Sequence, residues 1–564
     1  MNPVIDQALA AALKELKQRQ VIPADWQDNS VLTRTKSKDH GDFASNLALV
    51  ASKPAGRKPR DLAELIVGAI PELDQIKKVE IAGPGFINFY LQSAERLSVI
   101  AQIIDQGDQF GVKPQASQKI LVEFVSANPT GPLHVGHGRQ AALGDVLCRL
   151  HSAQGFSVHR EFYYNDAGAQ ISKLGLSVKA RIAGLTPESA DWPSDGYQGD
   201  YIAEIGEAYL AGATVESADR SVTASGDASD LSAITEFAVA YLRREQDLDL
   251  KAFDLDFDHY FLESSLYTSG AVDQAVEQMS ASGHTYELDG ALWLKTTDFG
   301  DDKDRVMRKS AGGYTYFVPD VAYHLNKYAR GYTHAINIQG TDHHGTIARV
   351  RAGLQAVNPQ IPKNYPEYVL HTMVRVVKDG SEVKISKRSG SYITLRDLID
   401  WTSSDAVRFL LLSRKADTEF TFDVDLAVSK SNDNPVYYVQ YAHARACQLA
   451  TKATEVRKFT LTEALGEIGH LTEDSETELA AKLANYPELI ARAQSELGPH
   501  LLVTYLRELA ALFHSWYNGC RVIPETLDAQ SEPLMLGRLA LSEATRQVIS
   551  NGLGLLGVSA PNKM

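Results

Sequence analysis

The residues Lys119 to Gly155, KILVEFVSANPTGPLHVGHGRQAALGDVLCRLHSAQG, constrain the fold of this chain more than any other stretch. Lys119 to Val125 is short, apolar and β-branched, which predicts a buried strand. Asn128-Pro129-Thr130-Gly131-Pro132 can extend neither a strand nor a helix and must be a loop. From about His137 onward, Leu143, Val146, Leu147 and Leu150 recur at i, i+3, i+4 and i+7, one face of a helix, and Gly155 supplies a stop. His134-Val135-Gly136-His137 therefore sits where a strand hands over to a helix N-terminus. Unpaired N–H groups and the helix dipole favour anions there. Two imidazoles, with a glycine that lets backbone approach a ligand, suit a polyphosphate.

By itself H-x-G-H is a weak signal, since two ordinary polar histidines at a helix start would satisfy it. Its flanks carry more. The stretch resembles the HIGH motif of class I aminoacyl-tRNA synthetases, and EFVSANPTGPLHVGHGR resembles the arginyl-tRNA synthetase version of it. Downstream, Lys384-Ile385-Ser386-Lys387-Arg388 resembles the KMSKS loop of the same class, in the expected order. The resemblance to bacterial-type arginyl-tRNA synthetases runs through nearly the whole chain. It implies a multidomain α/β plus all-α protein. Residues 1–112 would be an N-terminal α/β domain that contacts the tRNA elbow through the D-loop. Residues 113–398 would be a Rossmann-like catalytic domain with a parallel sheet, insertions at about 180–250 and the second motif at 384–388. Residues 399–564 would be a helical bundle that binds the anticodon.

Composition bounds the alternatives. A chain of 564 residues is too long for one core. Hydrophobic residues at 44% and charged residues at 23% are ordinary for a soluble protein. No apolar run approaches the length of a membrane span. The N-terminus, MNPVIDQALAAALKELKQRQ, reads as an amphipathic helix and not as a signal peptide. Cys148, Cys447 and Cys520 are far apart, which argues against a disulfide framework or structural zinc and for a reducing cytoplasm. The net charge of −15 speaks against a nucleic-acid partner only if charge is taken as a sum. Phosphate contact depends on local patches, and Arg34, Lys36, Lys38, Lys53, Arg57, Lys58 and Arg60 form a basic stretch. That stretch reads either as a solvated surface or, with the resemblance, as a tRNA contact made by Arg57, Lys58 and Arg60.

Along the chain, Val31 to Lys36, Val79 to Ile81 and Phe86 to Phe89 read as strands, and Phe43, Leu47 and Val50 as one helix face. Gln109 to Gln118 reads as a polar linker. Strands are predicted at Val158 to Tyr164, Phe253 to Asp258, Ala291 to Thr296, Tyr314 to Val318 and His334 to Gln339, and a hairpin at Val374 to Ile385. Ligands of open α/β sheets bind beyond the carboxyl ends of strands, so Asp342 is placed to hold a ribose hydroxyl. His343 and His344 offer a metal pair, but no third soft ligand is spaced nearby. In the C-terminal part, Leu502, Leu506, Leu509, Phe513 and Trp516 form a helical apolar stripe. The aromatic run around Tyr437 to Arg445 suits either core packing or base stacking.

The resemblance assigns further roles. His134, His137 and Lys387 would be catalytic. ATP would be held by His134, Gly136, His137, Asp342, His343, Lys384, Ser386 and Lys387, and would arrive with Mg2+. A guanidinium wants planar carboxylate partners, and the resemblance places L-arginine against Glu123, Ser126, Asn128, Glu263, Tyr316 and Asp320. Ser126 and Asn128 would grip its α-amino and carboxylate end, and Glu263, Tyr316 and Asp320 its guanidinium. Tyr437, Tyr441 and Arg445 would contact tRNA(Arg). A monomer, no membrane partner, and arginine activation that depends on bound tRNA are also implied. The rivals are another class I synthetase, a small adenylyltransferase and a non-catalytic tRNA-binding paralogue. A cysteine enzyme would need zinc-spaced Cys and His, an adenylyltransferase would not need the helical C-terminal region, and intact His134, His137 and Lys387 argue against the paralogue.

Overall fold

The computed structural model describes residues 2–35, 38–166, 168–383 and 393–564, less the side chain of Lys38. The anticipated strand, loop and helix at Lys119 to Gly155 lie at its centre. Lys119–Glu123 is the middle strand of a five-stranded sheet. Across the sheet the order is Glu367–His371, Ala335–Gly340, Lys119–Glu123, Ser157–Tyr164 and His259–Leu262. Every pairing is parallel. Such a sheet is covered on both faces, which is why Ile120, Leu121 and Val122 are all fully buried. The strand order reverses beside Lys119–Glu123, and a ligand crevice opens at such a switch point.

The helix Val135–Ala153 leaves that point and returns to the sheet edge, and Gly155 ends the turn with φ +90°. Two helix turns along, Gly144 lies so close to Phe124 that a Cβ there would meet the ring at 2.1 Å. Helix and strand end are thereby held in van der Waals contact.

Two sequence expectations fail in this region. Phe253 to Asp258 is not a strand: it follows the helix Leu231–Ala252 as a turn, with Asp254 at φ +52°, and the strand begins at His259. Its apolar and acidic alternation still sorts burial, since Phe253 and Leu255 are buried and Asp254, Asp256 and Asp258 exposed, but it forms no strand, and its last residue, Asp258, donates its N–H to the Arg160 carbonyl at 3.0 Å just before the strand starts. Tyr314 to Val318 is not a strand either. Phe317–Ala329 is a helix, with Asp320 in its first turn, where the dipole favours a carboxylate. Phe43 also leaves its expected helix face, lying in the strand Phe43–Ser45 ahead of the helix Leu47–Ala51.

Residues before Gln92 build a separate four-stranded antiparallel sheet with its own core around Ile5, Leu47, Leu62 and Phe89. The inserted helices Ala169–Ile182, Tyr201–Leu210 and Leu231–Ala252 enclose another. The C-terminal helices do not form a separate core. Leu502, Leu506, Leu509, Phe513 and Trp516, the predicted stripe on His500–Gly519, belong to one cluster with Val122, Val146 and Leu147 of the catalytic sheet and helix. A buried charge group crosses the same junction: Arg408 donates to Asp145 at 2.7 Å and to the Phe253 carbonyl. All three cysteines are free thiols. No helix among the described residues is long and apolar enough to cross a membrane.

Candidate active site

His134 is the N-cap of Val135–Ala153, and it caps with its ring. Its Nδ1 accepts from the Gly136 N–H at 3.0 Å, while His137 Nδ1 accepts from the His134 N–H at 3.2 Å. The two rings stack with centroids 3.8 Å apart. Because both Nδ1 atoms are acceptors, each neutral ring carries its proton on Nε2, the atom that can donate to a phosphate oxygen. Gly136 is required here, since a Cβ would lie 2.8 Å from the His134 ring.

The chain beyond the second motif returns to the same place. Leu395 N donates to the Leu133 carbonyl at 2.8 Å, Val135 N donates to the Ile393 carbonyl, and His134 bridges Thr394. On the other flank, Val374–Lys378 and Ser381–Glu382 form the predicted hairpin. The predicted ATP-site residues Lys384, Ser386 and Lys387 lie between these anchors, outside the described residues.

Arg139, two residues after His137, was not singled out from sequence. Its guanidinium is fully buried and donates to Thr372 O and Oγ1, Lys415 O and Thr418 O at 3.0 to 3.1 Å. It ties the first turn of the histidine helix to the base of the hairpin. Burial lowers its pKa to about 10. Beside it, His371 closes its strand with a pKa lowered to about 4 by burial, in the field of Arg139, Asp342 and His134. Asp342 and His343 follow the Ala335–Gly340 strand as expected, with side chains 82% and 55% exposed.

The residues expected to hold the amino acid lie in a drier place. Glu123 ends the central strand and is buried, Glu263 opens the helix Glu263–Thr268, and Asp320 lies in the first turn of Phe317–Ala329. Removal from water, then Glu263 and Glu123, push the Asp320 carboxyl up to about 7. Burial raises Glu263 too, against a 2.9 Å hydrogen bond donated by Tyr163. Glu123 is paired with the buried Lys327, and the field of Glu263 and Glu123 on Asp320 leaves a place where a further cation would be favoured. Tyr267, in the field of Glu263, Asp320 and Tyr316, stands at the rim, and Tyr316 is 80% exposed. Ser126 donates to Glu123 at 3.1 Å, and Asn128 donates to Gln170 at 2.6 Å.

Beneath the pocket runs a polar row that sequence reading missed. Register aligns Asn337, Glu123, Glu161 and His259 on four adjacent strands. Glu161 takes Arg330 on both oxygens at 2.6 and 2.8 Å, Tyr323 at 2.8 Å and His259 at 2.8 Å. Those partners hold its pKa far below the ordinary range despite burial. His159, Glu161 and His259 have ligand atoms within 4.8 Å of one another. The arginine and tyrosine already occupy that carboxylate, so the group is an ion-pair network.

The predicted tRNA residues fall on two faces. Arg57, Lys58 and Arg60 are exposed around the start of Pro59–Ala69, and Arg60 donates to the Gly83 carbonyl. Tyr437, Tyr441 and Arg445 share a half-buried side of Pro435–Val456, with Tyr437 stacked on Tyr441. Two residues missed in the sequence complete that face. His514 accepts from Arg445 at 3.0 Å, and the Arg445 guanidinium lies 4.6 Å over both Tyr441 and Tyr517.

A parallel sheet with a histidine-capped helix at its switch point, an inserted helical subdomain and a fused helical C-terminal region are the parts of a class I aminoacyl-tRNA synthetase. The sequence comparisons agree part by part. Residues 99–425 match the family described as tRNA synthetases class I (R), catalytic domain, residues 3–91 the arginyl tRNA synthetase N terminal domain, and residues 439–564 the DALR anticodon binding domain. The chain is 59% identical over 534 residues to an arginine–tRNA ligase of Thiobacillus denitrificans, covering 94% of each. It is 58% identical over 553 residues to one from Bordetella petrii, covering 96% of this chain and 97% of the other. The fold matches the Thermus thermophilus arginyl-tRNA synthetase structure over the whole of both chains, with a TM-score of 0.74 at 21% identity. This chain belongs to the arginyl-tRNA synthetase family.

Proposed function

We propose that the crevice between the histidine cap and the Glu123, Glu263 and Asp320 carboxylates is where this arginine–tRNA ligase joins arginine to ATP. The observation that carries the reading is the convergence of those three carboxylates beside a helix N-terminus suited to phosphate. The arginine guanidinium neutralises Asp320 and Glu263, with Tyr316 folding over it. Ser126 and Asn128, near Glu123, take the α-amino and carboxylate groups. The substrate carboxylate attacks the ATP α-phosphorus, and pyrophosphate leaves. His134 and His137 donate Nε2 protons to phosphate oxygens as charge builds. Lys387, with Lys384 and Ser386, follows the leaving pyrophosphate. Gly136 allows the close approach, and Asp342 with His343 holds the ribose side. ATP enters as its magnesium complex, because the hard cation keeps its place on the phosphates. A ribose hydroxyl at the tRNA 3′ end then takes the acyl group. No covalent enzyme intermediate is needed: the protein contributes position and charge.

Arg57, Lys58 and Arg60 contact the tRNA elbow, and Tyr437, Tyr441 and Arg445 the anticodon arm. The enzyme works as a cytoplasmic monomer, and activation of arginine waits for tRNA. By linkage, tRNA promotes activation only if it binds the competent state more tightly. The shared core between the anticodon helices and the histidine helix supports such a coupling. ATP–pyrophosphate exchange with arginine, run without tRNA and then with tRNA oxidised at its 3′ end, tests the reading. Exchange should be absent in the first case and clear in the second; full exchange without tRNA overturns the coupling.

A further inference from the structure

Lys327 has no solvent exposure and belongs to none of the roles above. It lies two turns along the helix from Asp320 and reaches down to the polar row. Its Nζ donates to Glu123 Oε2 at 2.5 Å and to Asn337 Oδ1 at 3.1 Å. The other Glu123 oxygen accepts from Ser126 Oγ at 3.1 Å, and Ser126 Oγ in turn accepts from the Tyr163 N–H at 3.2 Å. Both Glu123 oxygens are therefore engaged inside the protein.

The backbone that this chain of contacts holds is strained. Val125 has φ +68° and Ser126 φ +43°. A β-branched residue in the left-handed region is a genuine outlier, kept only where surrounding contacts over-determine it. Here it turns the chain out of the central strand and delivers Ser126, Ala127 and Asn128 to the crevice.

We propose that Lys327 is a positioning residue for arginine: its ion pair with Glu123 locks Ser126 and the left-handed turn that presents Ser126 and Asn128 to the α-amino and carboxylate groups. The inference rests on the reading of the amino-acid pocket given above. It makes Glu123 an indirect partner of arginine, acting through Ser126. Lys327 also cancels one of the three converging carboxylates, leaving Glu263 and Asp320 for the single guanidinium.

Lys327→Met alone strands a buried carboxylate and is destabilised. The decisive variant is therefore the double Lys327→Met/Glu123→Gln, which removes both charges at once. In tRNA-supported exchange, its arginine KM should rise about tenfold or more, with ATP KM and kcat at saturating arginine within about threefold of wild type. Inhibition by butylguanidine, which has the guanidinium but neither α-group, should be unchanged. Glu123→Gln alone leaves the Lys327 ammonium buried without its carboxylate, so its arginine KM should rise at least as far as in the double. A wild-type arginine KM in the folded double variant overturns the proposal, as does an equal loss in arginine, ATP and butylguanidine affinities. Asp320→Asn run alongside separates the two readings. If Asp320→Asn leaves arginine KM unaltered, the pocket assignment fails; if only the double variant does so, the role of Lys327 fails alone.

Discussion

On the amino-acid side of the crevice Glu123, Glu161 and Glu263 are each bonded to other side chains before a substrate arrives. On the phosphate side, Asp342 and His343 stand mostly in solvent. On the proposed reading of the site, the contrast follows from what each side recognises. A guanidinium differs from other cations by its planar fork, so a carboxylate already held in place, as Glu263 is by Tyr163, can read geometry as well as charge. Pyrophosphate is a leaving group, and a side that bound it in a dry cage would retain it. Among the described residues, that side also holds the histidine cap, fixed by reciprocal backbone bonds and anchored through Arg139.

The largest test of this contrast is Asp320→Asn, which keeps the shape and removes the charge. Arginine KM should rise by about 2–5 kcal/mol in free-energy terms, the cost of breaking a buried pair, with ATP KM nearly constant. A shift in ATP KM in place of arginine KM would erase the division between the two sides. Next comes His137→Ala, expected to lower kcat for adenylate formation by about 10²–10³, the usual loss for a transition-state donor, while arginine KM stays put. Stopped-flow or exchange kinetics at saturating arginine measure it, and an unchanged kcat removes the ring from the chemistry.

The pH dependence sharpens the comparison on a smaller scale. In the free enzyme Asp320 titrates at about 7. Below that pH it is protonated and cannot pair with a guanidinium, so kcat/KM for arginine should fall up to about tenfold per pH unit as the solution is acidified. The same limb should be missing in Asp320→Asn and in the pH profile of ATP KM. The smallest effect is expected far from both sides. Neutralising Arg57, Lys58 and Arg60 together should weaken tRNA binding and flatten its salt dependence by roughly one counterion per lost phosphate contact. Unchanged slopes in a salt titration would return these residues to the solvated surface.

Much of this was legible from residues alone where the signal was local. The apolar run of Lys119 to Val125, the proline loop and the helical apolar face each report on their own neighbours, and strand, loop and helix formed in that order, although the strand stops at Glu123 and Val125 turns out of it with φ +68°. Phe253 to Asp258 misled because apolar and acidic alternation also fits a turn that buries every second side chain, and Tyr314 to Val318 because a short apolar run cannot distinguish a strand from a helix start. The polar row was beyond reach for a different reason. Glu123 and Lys327 are 204 positions apart, and only the register of four parallel strands brings Asn337, Glu123, Glu161 and His259 into line. One trace was present: Asp320, Tyr323 and Lys327 recur at helical spacing, but spacing names no partner. His514 and Tyr517 were passed over because the helix that carries them reads first as an apolar stripe.

The undivided core beneath the anticodon helices bears on how such a protein can be rearranged. The sheet that ends at Leu91 has its own interior, so exchanging it leaves its packing whole, with Arg34 in the field of Glu488 and Tyr505 to be matched at the junction. The helices from Ser404 onward share their interior with the histidine helix, and the Asp145–Arg408 bond runs through it. Swapping them with a relative's recuts the packing of the catalytic floor. Substitutions on the outer face of those helices leave that packing intact, whereas the loan of the whole set does not.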